Sequence, residues 1–260
     1  VLFLTLYATQ YSGNTMFGYT GKSYRIGFEW TVSVLFMFSI ITGYLLFAPR
    51  LVAVARRFHF ITPGDYIRQR FGSSALTLLA TVLMIYALGN YTLAQLKAMG
   101  AAVEGITDGR IGSEYGIVAL AIIMVVYETL GGMRSVAWTD VIQGVVLLLG
   151  FGILLFLVPE LGGGLSRVVE QLSVQEPQMV TAPSLLTCNT WISFIVLLGC
   201  GAAIYPQAIQ RLYASKSVAG LKRSLAFMAF MPLTTTLIAL ICGATGRIVL
   251  PGIEGVETDQ

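Results

Sequence analysis

Long stretches without charge, separated by short clusters of arginine and lysine, set the rhythm of this 260-residue chain. Charge-free runs cover 1–21, 31–49, 71–96, 141–159 and 224–246. A further run, 177–210, holds an apolar helix expected to begin near Trp191. The shortest, 115–127, reaches spanning length only with Glu128, Thr129 and Leu130 added. A helix that crosses hydrocarbon needs about 20 apolar residues. The pattern therefore predicts an all-α membrane protein with seven transmembrane helices.

Two of these runs are interrupted by residues that suit a helix poorly. In the first, Thr9, Gln10, Tyr11, Ser12, Gly13, Asn14 and Thr15 follow one another. Ser, Asn and Gly compete for or expose backbone groups, so a regular helix is disfavoured there. Freed carbonyls in such a break can hold Na⁺, a hard cation that prefers oxygen, and freed amides can meet an anionic group. A polar helix–helix contact is the other reading of the same residues. In the sixth run, Gly199, Cys200, Gly201, Ala202 and Ala203 precede Pro206. Proline removes a donor and clashes with the carbonyl four residues earlier, here that of Ala202. This gives either a simple kink or a second break. Unwound backbone at mid-membrane is tolerated where it lines a cavity. Helices one and six lie five elements apart, the spacing of an inverted repeat of five plus five helices. A first repeat is expected over about 1–160 and the start of a second over about 186–260.

Composition sharpens the class. Hydrophobic residues make up 56% of the chain and charged residues 11%, with mean hydropathy +0.78, against about 25% charged in an ordinary soluble domain. The net charge is only +3, so its placement carries the information. Alternate loops hold ten of the 16 basic residues, from Arg50 to Arg70, at Arg134, and from Arg211 to Arg223. By the positive-inside rule these loops are cytoplasmic, which puts the N-terminus inside and the C-terminus outside. The chain starts at Val1 within an apolar run and stops at Gln260 in a polar segment, so it reads as truncated at both ends. Basic residues sit in loops rather than along one face, and nucleic-acid binding is not expected. Cys188, Cys200 and Cys242 lack metal-ligand spacing. No nucleophile–base motif is present, so no catalytic residue and no cofactor is expected. Glu128 and Asp140 are the acids nearest the bilayer core. Asp140 can complement its helix N-terminus and Glu128 can reach the inner interface, or either can serve function, as intramembrane acids often do.

Four segments carry a family resemblance. GGMRSVAWTDVIQG (131–144), YSGNTMFGYTGKSYRIGF (11–28), ITPGDYIRQRFG (61–72) and PQAIQRLYASKS (206–217) together resemble the sodium:solute symporter family, in its order and spacing. The resemblance implies a LeuT-like inverted-repeat core of which helices one to seven are present, working by alternating access. It further implies sodium held by backbone carbonyls at positions matching Ala8 and Tyr11, the remaining ligands coming from a later helix. Solute contacts are implied at Gln10, Ser12 and Thr15, with Leu198, Gly201 and Ala202 opposite, and a role in cation passage at Asp140. The helix breaks are expected at Gly13, Gly199 and Pro206. Gln10 stands where proline-type members carry an aspartate, and Leu198 and Gly201 replace polar or aromatic residues of sugar- and proline-type members. The function implied is sodium-coupled symport of a small polar solute, amino acid or organic acid, in a bacterial inner membrane. A seven-helix receptor or a transporter-like sensor is the alternative. The partners expected of the symporter are the solute, sodium and the lipid bilayer.

Overall fold

A computed structural model describes residues 1–253, apart from the side chains of Asn14, Met133 and Arg134. Its described residues are helical or turn-like throughout, without a strand. The chain enters through α1 (Leu2–Gln10), leaves helical geometry at Tyr11 and Ser12, and resumes as a π-helical turn, Asn14–Gly18, leading into α2 (Tyr19–Ile26). Gly27, at φ +65°, reverses the chain through a 3₁₀ turn into α3 (Val32–Phe58). A side chain at Gly27 would collide with the Met179 backbone, so glycine meets both a left-handed turn and a close approach there. Gln10 meets Tyr44 while Tyr19 shares a cavity wall with Met37. The opposed numbering shows α3 returning antiparallel to the broken first helix.

A short helix, α4 (Pro63–Phe71), begins with Pro63 at its first turn and a capping box between Thr62 and Asp65. That box satisfies amides which a helix start otherwise leaves orphaned. There follow α5 (Ser74–Ile106), α6 (Ser113–Gly132) and α7 (Ser135–Leu161). Gly132, at φ 54° and ψ −161°, separates the last two. Then come α8 (Leu165–Gln175), α9 (Leu185–Gly201), α10 (Pro206–Tyr213), α11 (Val218–Met228) and α12 (Leu237–Val249). Among the described residues six helical stretches are long and apolar enough to cross a membrane. One of them, Thr15–Phe58, contains the Gly27 reversal: its first part completes the pass begun by α1, and α3 makes another, which gives the expected seven.

Several boundaries differ from the sequence reading. α3 continues through Pro49 to Phe58 and α5 through Lys97 to Ile106, because a charge ends an apolar run without ending backbone hydrogen bonding. α9 starts at Leu185 rather than near Trp191, because Ser184 caps it by accepting from the Thr187 amide at 3.2 Å. Arg211 lies inside α10 rather than in a loop.

The core gathers around the broken first helix. Leu6, Tyr7 and Tyr11 pack against Met37, Ile41, Tyr44, Ala48 and Val52 of α3 and against Leu212, Leu221 and Leu225. Tyr7 OH and Thr235 Oγ1 lie 2.7 Å apart, tying α1 to the last span. Elsewhere apolar side chains face outward, as Leu78, Leu83 and Ile85 do on α5. In water this surface would be costly; against lipid tails it is not. The protein is a multi-pass integral membrane protein.

A cavity between two interrupted helices

The first interruption starts with a handful of backbone bonds that fail to form. In a continuous helix the amides of Ser12, Gly13 and Thr15 would donate to the carbonyls of Ala8, Thr9 and Tyr11. Here Ser12 N–H points to Thr15 Oγ1 at 3.5 Å, Gly13 N–H donates to Gln95 Oε1 at 3.0 Å, and Thr15 N–H turns to the Ser12 carbonyl at 2.9 Å. The carbonyls of Ala8, Thr9 and Tyr11 thereby lose their ordinary donors. The interruption is tighter than the whole Thr9–Thr15 stretch. Ala8, Thr9 and Gln10 stay helical, since Thr9 Oγ1 bonds back to the Thr5 carbonyl at 2.7 Å and the amide of Tyr11 still reaches Tyr7. Gly13 stands at the far edge of the interruption, where α5 leaves room for nothing larger: an added Cβ would lie 2.9 Å from the Ala98 Cβ.

The second interruption falls later than the glycines. Gly199, Cys200 and Gly201 remain in α9, and the helix tightens into a 3₁₀ turn at Ala202–Ile204 before extending at Tyr205. Pro206 begins α10 at its first turn, a position where its missing donor costs nothing. The residue before a proline is driven out of helical geometry, and Tyr205, at φ −83° and ψ 101°, obeys that restriction. Gly199 serves packing instead. Its carbonyl lies against Gly43 of α3 so closely that a Cβ on Gly43 would collide with it.

Between the two interruptions lies a cavity of about 410 Å³. Gln10, Ser12 and Thr15 line one side, and Leu198, Gly201 and Ala202 another. All six sequence-derived solute positions thus share one space, while Gly13, Gly199 and Pro206 lie outside its lining. Tyr19, Met37, Ile40, Tyr44, Tyr91, Leu197 and Tyr205 complete it, and no charged side chain is among them. Gln10 Nε2 donates to Tyr44 OH at 2.8 Å, and Tyr205 OH donates to Gln207 Oε1 at 3.1 Å. The four tyrosines, like Gln95, escape a reading based on breaks alone. Their only signal in the sequence is a polar tip within a charge-free run.

Asp140 stands apart from this cavity. It lies in α7, 8% exposed, and both Arg211 Nε and Nη2 donate to its Oδ2, at 2.9 and 2.7 Å. Arg211 Nη1 also donates to the Gln207 carbonyl at 3.1 Å. The pair borders a second cavity of about 640 Å³ that Thr5, Ser215 and Lys216 also line. The carboxylate and its guanidinium form an ion pair between α7 and α10. The two interruptions thus border one cavity, and the acid of the fifth span borders another.

The profile of the sodium:solute symporter family matches residues 1–253. The chain belongs to the sodium:solute symporter family. Among its relatives is the sodium/pantothenate symporter of Escherichia coli, 28% identical over 257 residues, which cover 97% of this chain and 53% of the relative. The sodium/glucose cotransporter of Vibrio parahaemolyticus is also 28% identical, over 94% of this chain and 47% of its own. The human sodium-coupled monocarboxylate transporter 2 is 30% identical over 65% of this chain and 26% of its own. This symporter-family chain spans about half the length of the first two relatives.

Proposed function

We propose that the protein to which this chain belongs is a secondary active transporter that couples sodium entry to uptake of a small polar solute by alternating access. The observation that carries the reading is the 410 Å³ cavity whose walls come from both interrupted helices. Binding at the meeting point of discontinuous helices is the arrangement of inverted-repeat transporters, and residues about 1–160 and 186–260 are read as one repeat and the start of its partner. The carbonyls of Ala8 and Tyr11, stripped of their helical donors, form half of a sodium site. Gln10, Ser12, Thr15, Leu198, Gly201 and Ala202 contact the solute. The uncharged lining favours an amino acid or an organic acid. The names of the relatives, which act on pantothenate, glucose and monocarboxylate, agree in sodium coupling and differ in solute. Asp140 lies on the route by which the cation leaves. Both guanidinium bonds fall on Oδ2, which leaves Oδ1 to meet a passing ion. The distribution of basic loops supports a cytoplasmic N-terminus and an external C-terminus, in what is read as a bacterial inner membrane. No step in this cycle makes or breaks a covalent bond, so no residue is assigned a catalytic role.

The test is uptake by proteoliposomes holding the full-length protein. Radiolabelled pantothenate, glucose and lactate are supplied under an inward sodium gradient and under equimolar choline. Sodium-dependent accumulation of one of them, abolished by filling the cavity with Gly201→Trp, is expected. Equal uptake in sodium and choline, or full uptake by Gly201→Trp, would overturn the reading.

A further inference from the structure

Gln95, on α5, plays no part in the cycle just described, yet it grips the first interruption with both ends of its carboxamide. Oε1 accepts from Gly13 N–H at 3.0 Å, and Nε2 donates to Ser12 Oγ at 3.3 Å. A backbone amide can only donate, so the orientation of the carboxamide is set by Gly13. Ser12 therefore receives a hydrogen bond on its oxygen, and its own proton is left to donate elsewhere. Ser12 lines the 410 Å³ cavity. Tyr44 is treated alike from the other side, accepting from Gln10 at 2.8 Å and keeping its proton for the same cavity. The contact is tight as well as polar. A Cβ on Gly13 would lie 3.2 Å from Gln95 Oε1 and 2.9 Å from Ala98, so the broken segment cannot slide along α5 without losing the grip.

We infer that Gln95 is a positioning residue that determines specificity: it pins the interruption to α5 and turns the Ser12 hydroxyl into a donor for a solute bearing an acceptor oxygen, a carboxylate or a carbonyl. This rests on the cavity being the solute site. An ammonium group finds no charged partner in the lining, whereas an acceptor oxygen meets the hydroxyls of Ser12 and Tyr44. Gln95 touches no solute itself. It acts through Ser12.

The two ends of the carboxamide can be separated by substitution. Gln95→Glu keeps an acceptor for Gly13 but removes the donor to Ser12 and draws the serine proton onto its own carboxylate. Gln95→Leu removes both. The full-length protein in nanodiscs is assayed for hydrogen exchange at the Gly13 amide, without sodium or solute, and for sodium-dependent binding of radiolabelled propionate, propionamide and propylamine. The wild type is expected to bind the first two and not the third. In Gln95→Glu, Gly13 exchange should match the wild type while propionate and propionamide binding falls about 10-fold, the scale of one lost hydrogen bond. In Gln95→Leu, exchange should also rise about 10-fold. Wild-type binding of propylamine equal to that of propionate, or of none of the three, overturns the inference. So does unchanged propionate binding in Gln95→Glu, or unchanged exchange in Gln95→Leu. Exchange at Gly13 is read without transport, so a failure of sodium-driven uptake in the wild type counts against the transport reading alone.

Discussion

Asp140 and Arg211 join the fifth span to the helix after the second interruption through two hydrogen bonds on a single carboxylate oxygen. The side chains are only 11% and 16% exposed. Removing one partner of such a pair leaves the other charge stranded, at a cost on the order of 3 kcal/mol. Asp140→Asn is expected to lower the thermal unfolding midpoint of the detergent-solubilised protein, and Asp140→Asn with Arg211→Gln to recover most of the loss. On the proposed transport cycle, sodium-driven uptake should stay low in the double variant, because the acid assigned there to the cation's route is gone. Recovery of uptake along with stability would show that the pair is only a structural tie.

Gly43 and Gly199 let α3 and α9 approach until backbone meets backbone. A methyl group at Gly43 has no flexible side chain to push aside, only the Gly199 carbonyl. Gly43→Ala is therefore expected to cost about 1–3 kcal/mol by overpacking, whereas Gly89→Ala, with open space around its Cβ position, should leave the unfolding midpoint unchanged. Equal midpoints for the two variants would contradict this packing.

Gly13 is also held against a neighbouring helix, α5, though less tightly. Gly13→Phe should abolish uptake while membrane expression stays near that of the wild type, since the clash falls at the interruption rather than in the main core. Uptake assayed beside quantitative immunoblotting decides the matter, and unchanged sodium-dependent uptake would remove the interruption from the site.

The start of α4 carries an acid-sensitive element outside the membrane spans. Burial acts to raise the Asp65 pKa, but hydrogen bonds from the Thr62 and Ile61 amides and the Thr62 hydroxyl, with Arg68 nearby, outweigh it and hold the carboxyl below its ordinary value. A depressed folded-state pKa adds stability that is fully present above the unfolded value of about 3.9. It is lost as pH falls through the lower folded value. Asp65→Asn should therefore be less stable than the wild type at neutral pH and show a shallower loss on acidification below about pH 4. Parallel acid limbs in unfolding titrations would refute the capping role.

Much of the architecture was legible because a bilayer imposes length and apolarity on every crossing, and both can be counted along a chain. The six cavity residues could be named in advance through the family's motifs and the polar run in the first helix. Helix ends were less legible: Arg50 and Lys97 end apolar runs without ending the helices that hold them, and Ser184 starts α9 six residues early with one capping bond. The second interruption also moved, from the glycines to Tyr205, because the glycines give α3 a place to pack while proline acts on the residue before it.

Membrane residence, the number of crossings and the two weak points along the chain follow from local chemistry, since each depends on residues near one another in order. The partners of those weak points do not. Gln95 reaching Gly13 across 82 positions, Arg211 reaching Asp140 across 71, and the ring of tyrosines around the cavity exist only because packed helices bring distant residues within hydrogen-bond range. No spacing along the chain encodes that distance.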